Sequence, residues 1–138
     1  MKSCVLIALL AALASCVHAA AVPVPTNAPT VVGAVQPGDW LMGIGTTNSA
    51  AQPDYVITKR LRYTLGSMYR VNAVIIRELG AAQGGAPAFV GGLGTNDVTV
   101  VLVSARGRGL HYRVELWGHD TTGADLGPDR PLITIAEF

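Results

Sequence analysis

The chain has 138 residues, 50% of them hydrophobic, with ten Lys and Arg against nine Asp and Glu. That length allows one domain. A near-balance of charge provides no general electrostatic attraction to nucleic acid or anionic lipid, and the absence of any Asn-x-Ser/Thr sequon excludes ordinary N-glycosylation.

Residues 1–21 read as a cleaved secretory signal peptide. Lys2 supplies the basic start, Val5 to Leu13 the short apolar core, and Val17-His18-Ala19 or Ala19-Ala20-Ala21 the small residues before a cleavage site. The apolar run is shorter than the ~20 residues of a membrane span, so none is expected. Cys4 and Cys16, the two cysteines, both fall inside this segment. A mature chain would then hold together by core burial without a disulfide, in an extracellular location. Leu13-Ala14-Ser15-Cys16 also resembles a bacterial lipobox, which would make Cys16 a lipidated first residue.

Residues 22–37 form a proline-spaced arm, in which Pro23, Pro25 and Pro29 block helix and favour extended chain. Gln36-Pro37-Gly38-Asp39 signals a turn, and Trp40, Met42 and Ile44 alternate as a short first strand. Gly45 to Pro53 has loop composition. From Tyr55, a second strand carries Ile57, Leu61, Tyr63 and Leu65 on one face; Lys59 interrupts that face and marks an edge. After Gly66-Ser67, the residues Tyr69, Val71, Ala73, Ile75 and Leu79 define the next strand. Val71, Val74, Ile75 and Glu78 also fit helical spacing, but the β-branched content favours strand. Gly80 to Gly85 is a turn and Ala86 to Val90 a short run.

Thr95 to Gly118 is the best-patterned stretch. Val98, Val100 and Leu102 alternate, as do Leu110, Tyr112, Val114 and Leu116. On the first run the opposite face is Thr99, Val101 and Val103, so that strand is expected to be covered on both sides. On the second it is His111, Arg113, Glu115 and Trp117, which should meet water. Ala105 to Gly109 has hairpin length and glycine content, predicting a hairpin with Arg106 and Arg108 at its tip. Residues 119–138 form a loop-rich extension in which Leu132, Ile133 and Ile135 could make a last short strand. The whole predicts an all-β fold, a small antiparallel sandwich or barrel of six or seven short strands, over residues 38–118.

Candidate chemistry is sparse. Beyond the signal segment there is no Cys, no Gly-x-Ser-x-Gly and only His111 and His119 among histidines, too few and too far apart for a metal site. His119-Asp120 is the one adjacent base–acid pair. Gly91-Gly92-x-Gly94 lacks the lysine and the strand-turn-helix setting of a nucleotide loop. No catalytic residue, metal or cofactor is therefore expected. Arg106 and Arg108 remain as a possible anion or partner contact.

The chain resembles the insect family named after multiprotein bridging factor 2, described as a transcription activator, with probable salivary secreted peptides and response-to-pathogen midgut proteins among its members. Gly38-Asp39, Lys59-x-Leu61-x-Tyr63, Gly84-Gly85 and Gly91-Gly92-x-Gly94 carry the resemblance. It continues through the valine run, Ser104-x-Arg106-Gly107-x-Gly109 and Val114-Glu115-Leu116-Trp117-Gly118. Residues 119–138 and the proline-rich arm lie beyond the family pattern. The resemblance implies a small secreted, non-enzymatic protein of saliva, gut or defence that binds a protein or glycan. Its alternative implication is a transcriptional co-activator bridging a nuclear-receptor-type factor to the general transcription machinery. The signal peptide and the absence of a basic localisation cluster place the secreted role first.

Overall fold

The computed structural model describes residues 27–123, which form seven β-strands and no helix. They are β1 (Thr30–Gly33), β2 (Trp40–Ser49), β3 (Thr58–Thr64), β4 (Tyr69–Glu78), β5 (Ala86–Gly91), β6 (Asp97–Val103) and β7 (Leu110–Asp120). A four-stranded sheet has the order β1-β4-β7-β2 and a three-stranded sheet the order β3-β6-β5. Every pairing is antiparallel.

In β6 and β7 the alternation that predicts the strands also builds the core. In β4 the register shift at Asn72 turns Val74 and Ile76 inward in place of Ala73 and Ile75, and in β2 the shift at Met42 turns Ile44 outward. Met42, Val71, Val74, Ile76, Leu110, Tyr112, Val114 and Leu116 from the larger sheet meet Leu61, Tyr63, Leu65, Val98, Val100 and Leu102 in one buried cluster. The result is the expected all-β sandwich. Each large side chain so buried contributes about 1.5–3 kcal/mol relative to exposure. The fit is close across the sheets: a Cβ on Gly45 would lie 2.7 Å from the Tyr63 hydroxyl.

Several expectations change. The hairpin over Thr95–Gly118 does not form, because β6 and β7 lie in different sheets. Each is an interior strand with both edges already paired, so their apolar faces meet across the core. Ala105–Gly109 is an arch between sheets, and Gly107 N–H donates to Tyr55 O at 2.8 Å. The loop assigned to Gly45–Pro53 is strand as far as Ser49, because Gly45 and Thr47 face inward opposite Val114 and Tyr112. Within the arm, Thr30–Gly33 pairs with Ala73–Ile76 of β4, and β7 runs on through His119 and Asp120. The signal segment, both cysteines and the possible strand at Leu132–Ile135 lie outside the described residues.

β6 is flanked on both edges but not fully covered on its outer face, where Thr99, Val101 and Val103 are half-buried. β3 is a sheet edge, as Lys59 suggests. Val71 to Ile76 is strand rather than helix. Its register with β7 shifts at Asn72, and that of β2 shifts at Met42, so β7 has a bulge beside it on each side near Trp117.

Candidate functional site

The outer face of the smaller sheet carries an open cleft of about 750 Å³, lined by Arg60, Arg62, Phe89, Gly91, Gly92, Asp97 and Thr99. Strand register places these residues. Arg60 stands opposite Val101, which stands opposite Phe89; Arg62 stands opposite Thr99, which stands opposite Gly91. Phe89 faces outward because the β5 register shifts between Pro87 and Phe89, making Ala88 the extra residue. Phe89 is 55% exposed. It lies over Gly91, where a Cβ would come within 2.6 Å of the ring.

The two arginines differ in what they already hold. Arg62 Nε donates to Asp97 Oδ1 at 3.0 Å and to Oδ2 at 3.1 Å, and Thr64 Oγ1 donates to Asp97 Oδ1 at 3.4 Å. The Arg62 guanidinium holds the Asp97 carboxyl below the usual carboxylate range. Arg60 is exposed and makes no hydrogen bond or ion pair among the described residues. A free guanidinium, an exposed ring and the Thr99 hydroxyl together suit a chain bearing carboxylates and apolar side chains.

The arch holds the arginines singled out from the sequence. Arg106 Nη1 donates to Asp54 O at 3.1 Å, bracing a residue with φ of 64°. Arg108 is exposed and forms no hydrogen bond or ion pair among the described residues. Thus Arg106 has a structural task and Arg108 is the freer of the two. Ser104 is buried, accepting from Ile57 N–H at 2.8 Å. Gly109 N–H donates to Gln83 Oε1 at 3.1 Å, and Gly107 adopts φ of 72° in the arch.

The other motif glycines serve the fold. Gly92 has φ of 89°, and a Cβ there would fall on the Asp97 carbonyl oxygen. Gly94 also has positive φ but faces open space. A Cβ on Gly118 would fall on the Arg70 carbonyl oxygen, beside the β4 bulge. Trp117 Nε1 donates to Glu115 Oε2 at 3.3 Å, and Glu115 Oε1 lies 3.1 Å from Arg113 Nε and 3.7 Å from Arg77 Nε.

His119 is not brought to Asp120. Its Nδ1 lies 3.3 Å from Asp39 Oδ1 and 3.0 Å from Asn72 Nδ2. The Asp39 side chain is 1% exposed and also accepts from Gln36 N–H at 2.7 Å. This cluster ties the turn before β2 to the β4 bulge and the end of β7. Asp120 instead accepts from Thr122 N–H at 2.6 Å, and its pKa is lowered first by the Thr122 hydroxyl and then by this N–H. His111 is half-buried on the outer face of β7. No group of three His, Cys, Asp or Glu that could hold a metal occurs among the described residues.

Sequence reasoning passed over Arg60, Arg62, Phe89 and Asp97. Their only signal was arginine at alternate positions of β3 and a large aromatic in a run of small residues.

A family model described as Transcription activator MBF2 matches residues 32–118. Comparison with curated proteins finds no match, and comparison with solved structures finds none. The match corrects the order of functions expected from the sequence. The family description supports the transcriptional alternative, not the secreted salivary or midgut protein that the N-terminal pattern placed first.

Proposed function

The chain belongs to the MBF2 transcription activator family, and from that membership we propose that it is a transcriptional co-activator working by protein–protein contact, without catalysis of its own. The observation that carries this reading is the extent of the match, which runs from within β1 to near the end of β7 and so takes in both sheets. On this reading the protein links a sequence-specific factor, of nuclear-receptor type, to the general transcription machinery. Two features favour contact with protein over contact with DNA. Charge is nearly balanced along the chain, whereas affinity for a duplex rests on neutralising several phosphates. The cleft also pairs a cation with an apolar ring, which suits the acidic–hydrophobic alternation of activation segments.

The test is a reporter assay in which the full chain is tethered to a promoter through an unrelated DNA-binding domain. Raised transcription, with general transcription factors co-precipitating, supports the proposal. Basal transcription with no such factor recovered refutes it.

A further inference from the structure

Among the described residues the sandwich has four sheet edges, and three carry a device that discourages further pairing. β1 is only four residues long. β3 carries Lys59, Arg60 and Arg62, and β5 carries Pro87 with a register shift beside it. β2 is different. It has ten residues, Trp40 to Ser49, with no charge and no proline. Its bulge lies near one end, at Met42, leaving Gly43 to Ser49 in unbroken register with Leu116 to Leu110 of β7.

β2 pairs with β7 on one side. Among the described residues, none of the backbone hydrogen bonds outside the strand ladders involves positions 41–49. The regular run would extend about 23 Å at the usual rise of ~3.3 Å per residue. Thr46 and Asn48 are exposed on its outer face, and Ile44 is half-buried. An edge strand of this kind is a template for another strand.

We propose that β2 pairs antiparallel with β2 of a second copy, joining two four-stranded sheets into one of eight strands across a two-fold axis. The charge pattern selects this occupant. Antiparallel self-pairing of Gly43–Ser49 opposes no like charges, whereas β3 paired with itself would set basic residues against each other. β2 has no charged side chain with which to select a foreign segment. Its uncharged Gly, Ile, Thr and Asn residues match a copy of themselves, and an isologous contact uses the same patch twice.

The experiment is sedimentation equilibrium of the full chain over a wide concentration range, with hydrogen exchange of the 43–49 amides at both ends of that range. The expected result is a reversible dimer whose 43–49 amides exchange more slowly at high concentration. Thr46→Lys, on the exposed face of β2, should weaken the dimer by at least about tenfold without altering the melting temperature of the dilute monomer. Where that variant fails to fold, concentration-dependent protection in the unmodified chain decides the question. A monomer at every concentration overturns the proposal, as does a dimer indifferent to Thr46→Lys. Protection independent of concentration also overturns it, because the edge would then be covered within one molecule.

Discussion

Ile57 and Ser104 exchange two hydrogen bonds: Ile57 N–H donates to Ser104 Oγ at 2.8 Å, and Ser104 N–H donates to Ile57 O at 2.9 Å. The pair joins the lead-in to β3 with the exit from β6, where the chain leaves one sheet for the other. Ser104 is buried, so Ser104→Ala leaves the partly buried Ile57 amide without its acceptor. The expected cost is about 1–2 kcal/mol, read as a lower urea midpoint with an unchanged slope. A midpoint equal to that of the unmodified chain would mean that water replaces the hydroxyl at no cost.

The same corner shows what the sequence could and could not convey. Val98-x-Val100-x-Leu102 and Leu110-x-Tyr112-x-Val114-x-Leu116 identify two strands and their apolar faces correctly. Alternation cannot say whether two neighbouring strands pair edge to edge or face each other across a core, because both arrangements bury the same residues. A five-residue glycine connection serves either one. The sequence pattern stops β2 at Ile44 because Gly45 offers no side chain to mark a face; the space at Gly45 is filled by Tyr63 from the other sheet. The cleft was less legible still. Arg60, Val101 and Phe89 become neighbours only through the order β3-β6-β5, and Asp39 meets His119 only through β7 and the turn before β2.

Gly118 and Gly94 separate two reasons for glycine. Gly118 lies in β7, and an added Cβ would collide with the Arg70 carbonyl oxygen and come within 2.6 Å of Met42 Cε. Backbone cannot yield there without disturbing the β4 bulge, so Gly118→Ala should cost about 3 kcal/mol or more. Gly94 has φ of 79° but open space around it. Gly94→Ala should cost only the conformational strain, about 1 kcal/mol. Thermal unfolding of the two variants side by side checks the order.

Tyr112 makes stability depend on alkaline pH. It is buried, and it stands in register with Glu78 of β4. Burial and the Glu78 charge push its phenol up to about 12. In the unfolded chain the phenol ionises near 10, so the unfolded state releases its proton first as pH rises. The contribution of the neutral phenol is complete below about pH 10 and is lost as pH climbs toward about 12. Urea unfolding between these limits should show stability falling, and Tyr112→Phe should flatten that part of the profile. Tyrosinate absorbance from Tyr112 appearing in the folded protein near pH 10 would contradict the assignment.

The cleft predicts opposite effects from two of its charged residues, Arg60 and Asp97. Arg60 has no partner among the described residues, while Arg62 already donates to Asp97 twice from Nε and once from Nη2. A carboxylate arriving in the cleft can take Arg60 directly but must compete with Asp97 for Arg62. Arg60→Glu should therefore weaken binding of an alternating Glu-Phe peptide by about tenfold, and Asp97→Asn should strengthen it by freeing the second guanidinium. Phe89→Ala should weaken it without changing its dependence on salt, since the ring contributes apolar contact. Exposed ion pairs are worth about 0–1 kcal/mol, so the Arg60 and Asp97 changes should leave the melting temperature almost unmoved. Titration of the peptide into each variant at two salt concentrations distinguishes the cases. Equal affinities across all three variants would mean that the partner docks elsewhere on the sandwich.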